Sequence, residues 1–131
     1  MNNMDKVNYW VEIAVDDLCF AKECLKINRF LYVGFMCHQT IEKILKAKHV
    51  AKFPSDTPPY THNLVKLAQT TGLYELMSLD KKKVIANLEP LNIEARYPSK
   101  KKEILSTLSK ERCELLIKQT EGLNQWIKAQ L

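Results

Sequence analysis

Residues 29–49, RFLYVGFMCHQTIEKILKAKH, decide how this chain folds. Turned at about 100° per residue, Phe30, Val33, Gly34, Cys37, Ile41, Ile44 and Leu45 gather on one side of a helix. His38, Gln39, Glu42, Lys43, Lys46 and His49 gather on an adjoining arc of roughly 140° at the same angular step. A helix with so wide an apolar face packs inside a bundle. Its polar arc is either a solvated surface or a binding face. Glu42 stands four residues from both His38 and Lys46, and such pairs add only about 0.2–0.5 kcal/mol each on an exposed helix. Leu31 and Phe35 border the arc, which suits a groove or a dimer seam better than plain surface.

Upstream, a first helix is predicted from Asp5 to about Ile27. Trp10, Ala14, Leu18, Ala21 and Leu25 recur at three- and four-residue steps. Tyr9, Ile13, Phe20 and Cys24 form a second stripe, which reads as burial on more than one side. Asp5 is the predicted N-cap, and Asn28 the helix end, because Asn tolerates a left-handed backbone. The second helix, Arg29 to Ala51, follows so closely that the two must form an antiparallel hairpin.

Downstream, residues 53–60, FPSDTPPY, cannot continue a helix. Thr61 is the predicted cap of a short helix, Thr61–Thr71, facing inward with Leu64, Leu67 and Ala68 and ending at Gly72. A fourth helix starts at Leu79-Asp80, and Pro90 kinks or breaks it. Pro98 is expected to close the turn through Leu91, Ile93 and Ala95. Residues 99–108 read as loop or short helix. The last helix starts at Ser109-Lys110-Glu111, with Cys113, Leu116, Thr120, Leu123 and Ile127 along its seam. No segment alternates with period two, so no sheet is predicted. The expectation is an all-α fold: one domain over residues 1–131, an up-and-down bundle of four principal helices plus one short helix.

A net charge of +5 is unevenly placed. Residues 29–52 are net +4 and residues 81–112 net +5, while residues 1–28 and 53–80 are each net −2. Such basic segments suit phosphate-bearing or acidic partners, or simply confer solubility. Cys19, Cys24, Cys37 and Cys113 form no C-x-x-C pair, and no secretory segment precedes them, so reduced thiols in a cytoplasm are expected. No apolar run approaches the ~20 residues of a membrane span. The His and Cys residues lack zinc-type spacing and no Gly-rich phosphate loop is present, so neither a metal nor a cofactor is expected.

Three short motifs now stand in order: His38-Gln39-x-x-Glu42-Lys43-x-x-Lys46, then Thr61-His62-Asn63-Leu64 after the Pro-rich loop, then Ala95-Arg96-Tyr97-Pro98. In this order, behind an aromatic-rich first helix, they resemble the HEPN domain family (higher eukaryote and prokaryote nucleotide-binding) from about Asp5 to Ile127. The resemblance implies an all-α bundle, commonly a homodimer, akin to small prokaryotic proteins paired with a minimal nucleotidyltransferase in toxin–antitoxin-like systems. Some members of the wider superfamily are ribonucleases with an Arg followed after four to six residues by a His. None of Arg29, Arg96 or Arg112 is followed so, and no catalytic residue is assigned.

The expected ligand-binding set is Gln39, Glu42, Lys43, Lys46, His62, Arg96 and Tyr97. Lys43 and Lys46 would neutralise phosphate while Gln39 donates a hydrogen bond. Arg96 would hold phosphate through paired N–H bonds and Tyr97 would stack on a base. The competing reading pairs Arg96 with Glu94 or Glu89, puts Tyr97 in the core and has His62 merely packing on the Pro-rich loop. Function then divides three ways. The leading reading is a non-catalytic protein that binds nucleotide or RNA phosphate and a nucleotidyltransferase. The alternatives are a metal-independent ribonuclease toxin, using Arg96 with His38 or His62, and a purely structural adaptor.

Overall fold

The hairpin that the sequence demands is the frame of the molecule. A computed structural model describes residues 2–131. Helix α1 spans Asn3–Lys26 and α2 spans Phe30–Lys52, a link of only Ile27, Asn28 and Arg29 between them. Asn28 takes the left-handed conformation (φ 58°) that lets the chain reverse there. The N-cap of α1 is Asn2, not Asp5. Asn2 accepts from the Asp5 N–H at 2.8 Å while Asp5 accepts from the Asn2 N–H, so Asp5 closes a capping box from the third helical position.

After the Pro-rich loop come α3 (Leu64–Thr70), α4 (Leu73–Leu76) and α5 (Leu79–Leu88). The cap of α3 is Asn63, whose side chain accepts from the Lys66 N–H. Thr61 instead accepts from the Asn63 N–H, so the helix starts three residues later than the sequence suggests. Gly72, at φ 77°, turns the chain from α3 into the single turn of α4. Pro90 breaks the next element into two 3₁₀ turns, Glu89–Leu91 and Ile93–Ala95.

Pro98 does not close this element. It opens α6 (Pro98–Ser106) from a first-turn position, where its missing N–H costs nothing and its fixed φ already suits a helix. Helix α7, Lys110–Lys128, completes the chain behind the N-cap Ser109. It runs alongside α2 in the same direction: the Cys113 thiol donates to the Phe30 carbonyl at one end, and the Lys48 ammonium to the Gln130 carbonyl at the other.

No strand occurs among the described residues, and the fold is all-α. Among the described residues the short α-helices α3, α4 and α6 number three, where the sequence suggests one and leaves residues 99–108 as loop or short helix. The core joins Ala14, Leu18 and Ala21 of α1, Val33, Cys37, Ile41, Ile44 and Leu45 of α2, and Leu116, Leu123 and Ile127 of α7. Of the second stripe of α1, Cys24 is buried and Ile13 half-buried, but Tyr9 and Phe20 are exposed, so it is not a continuous second buried side. That helix packs on α2 and α7 and leaves Tyr9 and Phe20 outside, while Trp10 packs against the core. Leu91 and Leu108 seat the broken segment and the end of α6 on α2, where a Cβ on Gly34 would lie 3.2 and 3.3 Å from their methyls.

Candidate functional site

The polar arc of α2 is neither a wet surface nor an open face. His38 and Glu42 are fully buried, and Gln39, Lys46 and His49 nearly so. Burying a carboxylate and an ammonium costs several kcal/mol per ion unless each is paired and hydrogen-bonded. The partners come from α2 itself and from the segment just before α3. Glu42 accepts from the Lys46 ammonium at 3.2 Å through one oxygen and from His62 Nδ1 at 2.6 Å through the other. The Lys43 ammonium donates to Gln39 at 2.6 Å and lies 3.5 Å from Glu42.

His38 completes the network. Its Nε2–H donates to the His62 carbonyl at 3.1 Å, and its Nδ1 accepts from the Gln39 amide at 3.3 Å. This is the neutral imidazole with one donor and one acceptor. The two i,i+4 pairs foreseen on α2 therefore divide. Glu42–Lys46 forms, whereas His38 turns to the backbone of residue 62. Trp10 of α1 covers the end of the network, its ring centre 5.8 Å from the Lys46 ammonium.

Charge follows geometry. Burial pushes the Glu42 carboxyl up, but the His62 N–H and the Lys46 and Lys43 ammoniums outweigh it and hold it below the ordinary carboxylate range. Burial drives His38 down to about 4, against partial compensation from Glu42. Across the hairpin, burial raises the Asp17 carboxyl, opposed by Lys43. Sequence periodicity placed all the α2 residues on one arc, but nothing local marks Asp17 as a neighbour of Lys43.

Of the expected ligand-binding residues, Gln39, Glu42, Lys43, Lys46 and His62 thus come together as a mutually satisfied cluster. Lys46 has its charge met by Glu42, and its side chain is 8 % exposed. His62 is held by Glu42 and not by the Pro-rich loop, and its side chain is 56 % exposed. It forms the visible end of a buried network.

Among the described residues no hydrogen bond or ion pair joins Arg96 or Tyr97 to this cluster. The Val65 N–H donates to Glu89 at 2.9 Å, so Glu89 caps α3 instead of pairing with Arg96. No carboxylate among the described residues lies within ion-pair distance of Arg96. Its Nε is buried without a hydrogen-bond partner. Tyr97 is 83 % exposed, a correction to its alternative place in the core. Helix α6 begins immediately after it and carries Lys100, Lys101 and Lys102.

The four cysteines are free thiols. Burial pushes Cys37 up to about 12 and Cys113 up to about 11, so neither is a reactive nucleophile. Among the described residues no group of three His, Cys, Asp or Glu side chains is placed to hold a metal ion, and no helix is long and apolar enough to cross a membrane.

An all-α protein built on a hairpin with an internal ionic cluster, and a basic corner beyond it, is the class that fold and site define. The chain belongs to the HEPN domain family, whose model matches residues 7–130. Among solved structures it is similar to the crystal structure of TT1696 from Thermus thermophilus, with a TM-score of 0.81 over 100 % of both chains at 18 % identity. At that identity the likeness establishes the fold alone. No curated protein matches the chain at a significant level.

Proposed function

We propose that this chain is a non-catalytic HEPN binding module, one unit over residues 1–131. It takes the phosphate of a nucleotide or RNA at the Arg96–Tyr97 corner. It works in the cytoplasm as a homodimer with a nucleotidyltransferase partner, in a toxin–antitoxin-like pair. The observation that carries the ligand reading is Arg96 itself, with a buried unpaired Nε and no competing carboxylate beside a solvent-facing Tyr97. The two Nη groups of this guanidinium, in no hydrogen bond among the described residues, suit paired N–H bonds to phosphate, and an exposed phenol ring suits a stacked base. The lysines of α6 add positive charge alongside. The buried cluster on α2 has a supporting role here, fixing residues 62–65 and, through Glu89, the start of the segment that leads to Arg96.

The test is fluorescence anisotropy of the full chain with a labelled single-stranded RNA, together with thermal shift on adding ATP or GTP. Arg96→Ala and Tyr97→Ala should each weaken binding at least tenfold, with melting temperatures close to the parent. Unchanged binding in both variants would remove the corner from the reading, and a strictly monomeric chain with no shift would remove most of the rest.

One feature favours a second reading, a metal-independent ribonuclease. His62 Nδ1 on a buried carboxylate leaves a half-exposed imidazole oriented by an acid, an arrangement that serves general base catalysis on a 2′-hydroxyl. RNA cleavage in the presence of a chelator, abolished by His62→Ala, would establish it. Intact RNA after prolonged incubation with the parent chain would dismiss it.

A further inference from the structure

A groove of about 780 Å³ runs between α5 and α7, away from both sites above. Val84 and Leu123 form its apolar floor, and Trp126 stands half-exposed at one end. Lys81 lies with its ammonium 5.3 Å from the Trp126 ring centre. Lys83 adds a second positive charge, and Asp80 a single negative one.

Gly122 lies in the same lining, in the interior of α7. A Cβ added there would meet nothing within 4 Å. Glycine in a helix interior costs about 0.8–1 kcal/mol relative to alanine. Nothing among the described residues requires it, since neither a turn nor a packed neighbour occupies that space. The missing side chain instead clears a path to the α7 backbone, the condition for another backbone to approach closely.

The lining polar groups are all exposed or half-exposed, Asn87 and Gln119 included. A small-molecule site instead fixes its ligand with a few placed polar groups around an enclosed space. Here an open trough with an apolar floor, an aromatic plate and a lysine rim extends along α7 from Gln119 to Trp126, about 10 Å at the helical rise. Those are the features of a helix-in-groove surface, where apolar anchors at i, i+3, i+4 and i+7 lie on the floor and charges meet at the rim. The excess of lysine over Asp80 sets the sign of the occupant.

We propose that the α5–α7 groove docks an acidic amphipathic helix of a protein partner, seated over Gly122 with an apolar anchor against Trp126 and carboxylates toward Lys81 and Lys83. This goes beyond the reading at Arg96 and holds whether or not that corner takes phosphate.

A displayed library of twelve-residue helical peptides, selected on the immobilised full chain, tests it. Selected peptides should be acidic with apolar residues at helical spacing. Titrated as synthetic peptides, they should shift the NMR signals of the Gly122 amide and the Trp126 indole. Gly122→Leu, whose side chain enters empty space, should keep or raise the melting temperature and weaken the peptide at least tenfold. Lys81→Glu with Lys83→Glu should weaken it as much, and a peptide with its acids changed to lysine should recover binding to that double variant. The proposal is overturned if no peptide is recovered, if those recovered carry no acidic bias or shift other residues, or if Gly122→Leu binds unchanged. Competition at Gly122 and Trp126 by an eight-nucleotide uridine RNA or by ATP would make the groove a nucleic-acid site and overturn it equally.

Discussion

Glu42 is the residue on which the interior depends. It neutralises Lys46 inside the protein and fixes the ring of His62, so its removal strands a buried ammonium. Breaking a buried pair by deleting one partner costs about 3–5 kcal/mol, and Glu42→Ala should lower unfolding free energy by about that much in a urea titration. Replacing Lys46 and Glu42 together by well-packed apolar residues should cost far less, since the desolvation term disappears with both charges. His38 sets a pH dependence. Its folded value of about 4 lies below the ordinary 6.5. Between these values the unfolded chain takes up a proton that the folded chain refuses, so stability falls as the pH drops through this range, by up to about 3 kcal/mol. Glu42 acts with the same sign at lower pH, because its depressed value means stability that is lost as the carboxylate is protonated. Urea midpoints at pH 7.5, 6 and 4.5 should fall in that order, and the slope between 6.5 and 4.5 should flatten in His38→Asn. The sequence brings these residues onto one arc by spacing alone. It does not say that the arc faces inward, because a Glu and a Lys at i,i+4 read as surface until the covering Trp10 and residues 62–65 are placed in three dimensions.

At the scale of the helix, capping and interruption decide the boundaries. Asn28, Gly72 and Ser109 act where local chemistry points, so the hairpin, the turn after α3 and the start of α7 could be read directly. Pro98 could not, because a proline before a helix and one after it look alike in sequence; the distinction rests on whether the following Ser-Lys-Lys-Lys run finds a place to dock. Ile104 supplies it, buried at the end of α6. The single turn of α4 was equally invisible, too short to show a period. Ser109→Ala should destabilise the protein by about 1 kcal/mol through loss of the bond its side chain accepts from the Arg112 N–H, measured by thermal or urea unfolding. In the opposite direction, Gly122→Ala should stabilise it by up to about 1 kcal/mol, since the new methyl meets no neighbour and the helix gains propensity. A loss of stability in that variant would mean that the space beside α7 is filled in solution.

For the whole molecule, the all-α class and family membership were legible from three motifs in order, while the division of labour between them was not. One motif became the interior, one its clasp, and the third the exposed corner. That separation follows from Glu89, which reaches Val65 to cap α3 and leaves Arg96 without an acidic partner among the described residues. If Arg96 and the lysines of α6 meet phosphate, RNA affinity should fall steeply with salt, and each contact removed should reduce the log–log salt slope by about 0.7. Arg96→Ala should therefore flatten the slope as well as lower affinity, whereas an exposed lysine remote from that corner, such as Lys128, should change neither when replaced by Gln.

Lys46 has one further consequence. Its amine is walled in by an indole and a carboxylate, while most of the other lysines face water. Acylating reagents that mark surface amines within minutes should leave it untouched until the protein comes apart. The rate at which mass spectrometry finds a tag on Lys46 then becomes a clock for global opening, built into the chain and readable without any probe being added to it.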